Sequence, residues 1–282
     1  MKDAETRTWY RLAVARTGKG ASLVAAEGEH LGVAIAAAQK YIGDGSYVIA
    51  CDVARGDDVP LGQSVGKQRV VEQGAATDVD VMRWPAGVLP QLGRTMQLAD
   101  AKRGFTRVPH ESLFVMEAQT NHEHVVDLFL GMIERLPTAD NLEIRVLDHF
   151  DDAGRTDVWL TSRVNAKKIL AFLDDFDTEL LDNGHLELGV YIRDKRATLR
   201  LTEHKTVAWV ADDDSMQSEV AAWFRALDVP RVDSLVRLSS VPHFHWRGAK
   251  TRARKKLGDE LFKQRLRRVD KVALVTGPRE PD

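Results

Sequence analysis

Along the first fifty residues the apolar positions change their period twice. Residues 8–16, Thr-Trp-Tyr-Arg-Leu-Ala-Val-Ala-Arg, read as a strand, and Gly18 and Gly20 break it. Leu31, Ile35, Ala38 and Ile42 then recur at helical spacing over 29–42, and Gly43 and Gly45 are placed to end that helix. Residues 46–54 form a second apolar run, which gives β-α-β. From 55 to 110 Gly and Pro interrupt the pattern; strands are expected at 68–73 and 78–84, and a short helix after Pro90.

The following stretch is more regular. Residues 112–119 read as a strand, and Thr120-Asn121-His122-Glu123 has the form of a capping box. Val125, Phe129, Met132 and Ile133 then share one helix face, with Pro137 just beyond the end. Strands at 142–150 and 156–164 flank a turn at Asp151–Gly154. Asn165 can cap a helix reaching 181, Asn183-Gly184 stops it, and 186–192 is another strand. This β-α-β-β-α-β order over about 112–193 is the ferredoxin-like pattern. A hairpin follows, 197–202 with 206–211, turning at Glu203-His204-Lys205, and then a helix from Asp214 or Ser215 to Leu227.

The expected class is therefore α/β in the α+β sense: mainly antiparallel sheets with helices on one face. The β-α-β at 8–54 repeats the order of elements, though not the residues, and suggests a second related α/β unit. Three segments follow: an N-terminal α/β domain at 1–108, a ferredoxin-like domain with an added hairpin and helix at 109–240, and a basic C-terminal segment at 241–282.

A chain of 282 residues, 44% hydrophobic and 29% charged, can bury a core. No apolar run approaches the ~18–20 residues of a membrane span, and the polar N-terminus lacks the order of a secretory signal. A cytoplasmic protein is expected. One cysteine, Cys51, permits neither an intrachain disulfide nor a thiolate zinc site; within Val48–Val53 it reads as a small core residue.

Charge changes the picture more than composition does. The net formal charge of −2 divides into +2 over 1–110, −11 over 111–246, +8 over 247–271 and −1 over 272–282. The basic segment contains Arg247, Lys250, Arg252, Arg254, Lys255, Lys256, Lys263, Arg265, Arg267, Arg268 and Lys271. Phe262, Leu266, Val269 and Ala273 keep helical spacing among them, so a helix can dock and leave its other faces cationic. Such a density suits phosphates. Phe244, His245 and Trp246 just before it are candidates for stacking on bases.

The candidate chemistry is sparser. Gly62 to Lys67 lacks the spacing of a phosphate loop, no G-x-G-x-x-G follows the first strand, and no nucleophile elbow is present. His122 and His124 would diverge on a helix. His243-Phe244-His245 follows Pro242; if extended, both imidazoles face one way and Phe244 and Trp246 the other. With the carboxylates of Asp148 and Asp151, or of Asp212 to Asp214, they form a candidate metal set.

The first expectation is a non-enzymatic interaction or assembly subunit. Its partner, an acidic protein surface or nucleic acid, would bind through 246–271, within an oligomer or multi-subunit complex, without a membrane and without a cofactor. A metal-dependent hydrolase with a His/Asp site is the second, and a small-molecule-binding regulatory module, which needs a deep apolar pocket, the third.

Overall fold

The computed structural model describes residues 7–54, 63–65, 67–80, 82–151 and 154–269. It is a mixed α+β chain with mainly antiparallel sheets and six helices.

The first sheet is built from β1 (Thr8–Arg16), β2 (Lys19–Gly28), β3 (Ser46–Val53), β4 (Gln63–Val65) and β5 (Gln68–Ala75), in the order β3-β1-β2-β5-β4 with every pair antiparallel. Helix α1 (Leu31–Ile42) covers one face. Leu31, Ala34, Ile35 and Ala38 meet Leu12, Val14, Val24 and Cys51, and Gly43 (φ +104) ends the helix. The pattern at 8–54 therefore has one more strand than expected. β2 escapes notice because Gly and Ala at its ends are poor strand formers, and its burial depends on pairing with β1 and β5.

Residues 78–80 and 82–84 are not strand. Asp78 instead accepts hydrogen bonds from Gly93 N (2.8 Å) and Thr95 Oγ1 (3.2 Å), and Trp84 packs with Val88, Leu98, Leu238 and Val241. β6 (Val88–Pro90) comes next; the helix expected after Pro90 is one 3-10 turn, Thr95–Leu98.

The second sheet uses β7 (Gly104–Val108), β8 (Phe114–Gln119), β9 (Asn141–Val146), β10 (Asp157–Leu160), β11 (Leu186–Ile192), β12 (Ala197–Leu201), β13 (Val207–Ala211) and β15 (Arg267–Val269). Their order is β15-β10-β9-β11-β12-β13-β8-β7. The β-α-β-β-α-β sequence is present, but the β12–β13 hairpin lies between β11 and β8 in the sheet. The expected ferredoxin-like unit at 112–193 is thus not a self-contained sheet.

Helices α2 (Val125–Arg135), α3 (Ala166–Asp175), the single turn α4 (Asp177–Leu180), α5 (Gln217–Ala226) and α6 (Arg254–Lys263) complete the chain. Phe129, Met132, Ile169, Leu173, Phe224, Leu257 and Leu261 bury against Leu142, Ile144, Leu188, Leu199 and Trp209 on one face of the sheet. The side chains that alternate with these, including Glu143, Arg145, Glu187 and Arg200, form the other face. Asn165 caps α3 as expected, its carboxamide oxygen accepting from Lys168 N at 3.0 Å. The capping box before α2 does not form. Residues 122–124 make a turn, Glu123 bonds Asn121 and Arg83, and the Thr120 hydroxyl is buried without a partner.

The last strand, β14 (His243–His245), pairs with β6 and joins the two sheets. No helix among the described residues is long and apolar enough to cross a membrane.

Candidate metal centre

Four segments bring imidazoles to one end of the second sheet. Extended β14 supplies His243 and His245, and alternation sends Phe244 and Trp246 into the core under α1. The turn between β12 and β13 supplies Glu203 and His204. The 3-10 turn after β9, Asp148–Phe150, supplies His149, and the loop entering β11 supplies His185. His149 lies 4.5 Å from His245 by ring centroids, His204 5.2 Å from His245, and His149 5.0 Å from His185.

Two ligand sets result. Single ligand atoms of His204, His243 and His245 lie within 4.8 Å of one another, and so do those of His149, Glu203 and His245. The hydrogen bonds behind the rings fix which nitrogen is free. His243 Nδ1 is 2.8 Å from Val241 O and His245 Nδ1 is 2.7 Å from Gly184 O. A carbonyl only accepts, so Nδ1 carries the proton in both rings and Nε2 presents a lone pair, the arrangement metal-ligating histidines use. His204 Nε2 donates a hydrogen bond to His243 Nε2 across 3.0 Å, and a shared metal would displace that proton. Two nitrogens on one tetrahedral zinc stand about 3.4 Å apart, given Zn–N bonds of about 2.0–2.1 Å. Asp148 lies behind His149, 3.5 Å from its Nδ1, while His149 Nε2 has no hydrogen-bond partner and lies 3.6 Å from Glu203.

Burial sets the charge of the cluster. It lowers His204 to about 4, His245 to about 2 and His185 to about 3, with neighbouring imidazoles adding to the effect. Burial, with Glu187 and Asp148 nearby, raises the Glu203 carboxyl to about 7. At neutral pH these three rings are therefore uncharged, the form a metal needs.

The supports are tight. Lys205, 1% exposed and left-handed at φ +60, reaches Asn183 O at 2.6 Å; it ties the Glu203–His204 turn to the His185 loop, and burial lowers its ammonium to about 8. Trp246 N donates to Gly87 O at 2.7 Å, and Gly184 N to Trp246 O at 2.9 Å. A Cβ on Gly184 would stand 1.9 Å from Gly87 O, so only glycine allows this approach.

The other candidates are placed differently. Asp151 is not near the free nitrogens; it receives Arg254 Nε at 2.7 Å. Asp212 pairs with Arg196, and Asp213 accepts from Ser215 N. His122 and His124 stay apart from the cluster: His124 bonds Asn121, and the His122 amide bonds Arg83 O. Cys51 is fully buried, which raises its thiol well above the usual value. Sequence spacing identified His243 and His245. It missed His149, His204 and Glu203 as partners, since only the pairing of β9, β11, β12 and β13 brings those turns together.

The basic segment divides. Arg252 pairs with Glu179 at 2.9 Å, Arg254 with Asp151 and Asp157, and Arg268 with Asp157 at 2.7 Å. Phe244 and Trp246 are half-buried and pack against the core of the first sheet. Arg247 is half-buried over the Phe150 ring and donates to Thr251 O. Lys250, Lys255, Lys256, Lys263, Arg265 and Arg267 are exposed, and Lys271 lies outside the described residues. A depression of about 510 Å³ lies on the open sheet face, lined by Glu143, Arg145, Arg196 and Arg200 together with Leu113, Leu160, Tyr191 and Val210.

No protein-family model, curated protein or solved structure matches the chain.

Proposed function

We propose that this chain is a metal-dependent hydrolase whose divalent transition-metal ion, zinc or a similar one, is held by His204, His243 and His245. The observation that carries the reading is the convergence of these three imidazoles, two with proton positions fixed by backbone carbonyls, beside a second set containing Glu203. Three imidazole nitrogens with a carboxyl group alongside suit a catalytic ion, which keeps one position for water. A structural ion would instead be closed by four ligands, and these side chains remain partly exposed.

In this reading the ion would polarise a water, and Glu203 would take its proton as the water attacks an ester or phosphoester and pass that proton to the leaving oxygen. Burial and the neighbouring Glu187 and Asp148 raise this carboxyl in the ion-free protein, and a bound ion would draw it back toward the carboxylate form that accepts a proton. His149, oriented by Asp148, faces the same space and can hold the substrate oxygen or act as a further ligand.

Protein purified without chelators should contain about one equivalent of zinc, manganese, iron or cobalt by elemental analysis. His243→Ala combined with His245→Ala should lose it. Hydrolysis of a panel of carboxylic esters, phosphomonoesters and phosphodiesters should depend on that ion, and Glu203→Gln should retain the metal while losing at least 100-fold in rate. Absence of metal from wild-type protein, both as isolated and after incubation with each ion, would sink the site. Stable metal with no turnover of any substrate would sink the hydrolase.

A further inference from the structure

Helix α6 and strand β15 divide their charges by residue type and direction. Arg254, Leu257 and Leu261 point inward, and Gly258 brings the helix onto Trp159, where an added Cβ would stand 3.1 Å from the ring. Arg252, Arg254 and Arg268 are neutralised by Glu179, Asp151 and Asp157. These arginines hold the segment onto the acidic domain. The remaining cations are not used in this way. Among the described residues, Lys255, Lys256, Arg265 and Arg267 are exposed and have no ion pair, and Lys263 meets only Glu260 on its own helix. Between them stands Phe262, 71% exposed. It makes no contribution to the buried clusters, which leaves an apolar ring facing water in a cationic setting.

We propose that this outer face of α6 and the turn after it binds single-stranded nucleic acid, with phosphates on Lys255, Lys256 and Arg265 and one base stacked on Phe262; Arg267 points to the open face of the sheet beside Glu143 and Arg145 and takes no part. Cations alone would suit any polyanion. The exposed ring favours unpaired bases, since every base offers a flat π-face to stack on it whereas a cluster of carboxylates alone offers none. A cleft of about 760 Å³ lies beside the helix, lined by Trp159, Lys255, Phe262 and Lys263 together with Asp151, Asp157 and Asp259, of which the first two are already paired with Arg254. The face is also linked to the metal centre. Arg254 at the start of α6 donates to Leu147 O and approaches Asp148 O, immediately before His149. This surface is argued independently of the metal reading.

The test is anisotropy of a labelled 16-nucleotide oligo(dT) or oligo(U) with the full chain, in EDTA so that loss of metal does not affect the result. Three phosphate contacts predict a slope of log K against log salt near −2, taking about −0.7 per contact for single strands. Lys255→Gln with Lys256→Gln should bring the slope to about −0.7. Phe262→Ala should weaken binding roughly 5- to 150-fold with the slope unchanged, the range expected for losing one base–aromatic stack. Thermal melts that match wild type would show that the variants are folded. Three results overturn the proposal: no binding at 50 mM salt, equal affinity for Phe262→Ala and wild type, or equal competition by poly-glutamate, which would identify an acidic protein as the partner.

Discussion

Arg254 enters the fold with its guanidinium inside, 6% exposed. Its Nε donates to Asp151, and its Nη atoms reach Asp157 and the carbonyls of Val146, Leu147 and Arg155. A planar fork with five donors can satisfy such a set, and lysine cannot. In the sequence Arg254 is indistinguishable from Lys255, because its partners lie about a hundred residues away and only their acidity is visible. Arg254→Met should therefore cost about 3 kcal/mol in urea unfolding, the lower end for breaking a buried pair, since Asp157 keeps Arg155 and Arg268. Freed of this clamp, the turn carrying His149 should also hold metal less well, by about 10-fold in a competition titration if His149 is a ligand. Unchanged unfolding would mean that the ion pairs are incidental.

At the level of elements, legibility follows how local the determining forces are. Helices α1, α3 and α5 were readable because period and terminators lie within one segment, and the fold of β14 follows from Pro242 and the alternation of His with aromatic residues. β2 was not readable, since Ala and Gly become strand only through neighbours on both sides. The same strand carries a testable pair. Glu27 near its end receives Arg69 Nε and Nη2 at 3.2 and 3.1 Å, with Arg7 at 3.5 Å. The hydrogen bond from Arg69 outweighs burial and holds the carboxyl below its usual 4.5. A depressed carboxyl stabilises the fold fully above its unfolded pKa and loses that contribution as pH falls through the lower folded value. Wild type should therefore lose more stability than Glu27→Gln between pH 6 and pH 3, measured by denaturant midpoints. Parallel losses in the two proteins would exclude Glu27 as a source of acid sensitivity.

For the whole molecule, the candidate centre is also a seam. β14 pairs with β6, its aromatic side chains belong to the core under α1, and its imidazoles meet turns of the second sheet. Neither the sheet order nor this junction is written in any single stretch of sequence, which is why two of the three proposed ligands were visible as a motif and the third only as a turn residue. An ion bound at the seam joins segments separated by 39 residues at their closest, from His204 to His243, and is released when they part. Mass action then fixes the size of the effect: ligand at 100 times its Kd adds about 2.7 kcal/mol to the folded state. At roughly 2 °C per kcal/mol for a chain of this size, zinc should raise the melting temperature by about 5 °C. His243→Ala should abolish the rise while changing the metal-free melting temperature little, because its ring lies partly exposed outside the buried clusters. Phe244→Ala, one residue along the same strand, should do the reverse, lowering the metal-free temperature through lost packing and leaving a zinc-dependent increment wherever the protein still folds. Equal behaviour of the two variants would show that β14 serves only to pack the sheets together.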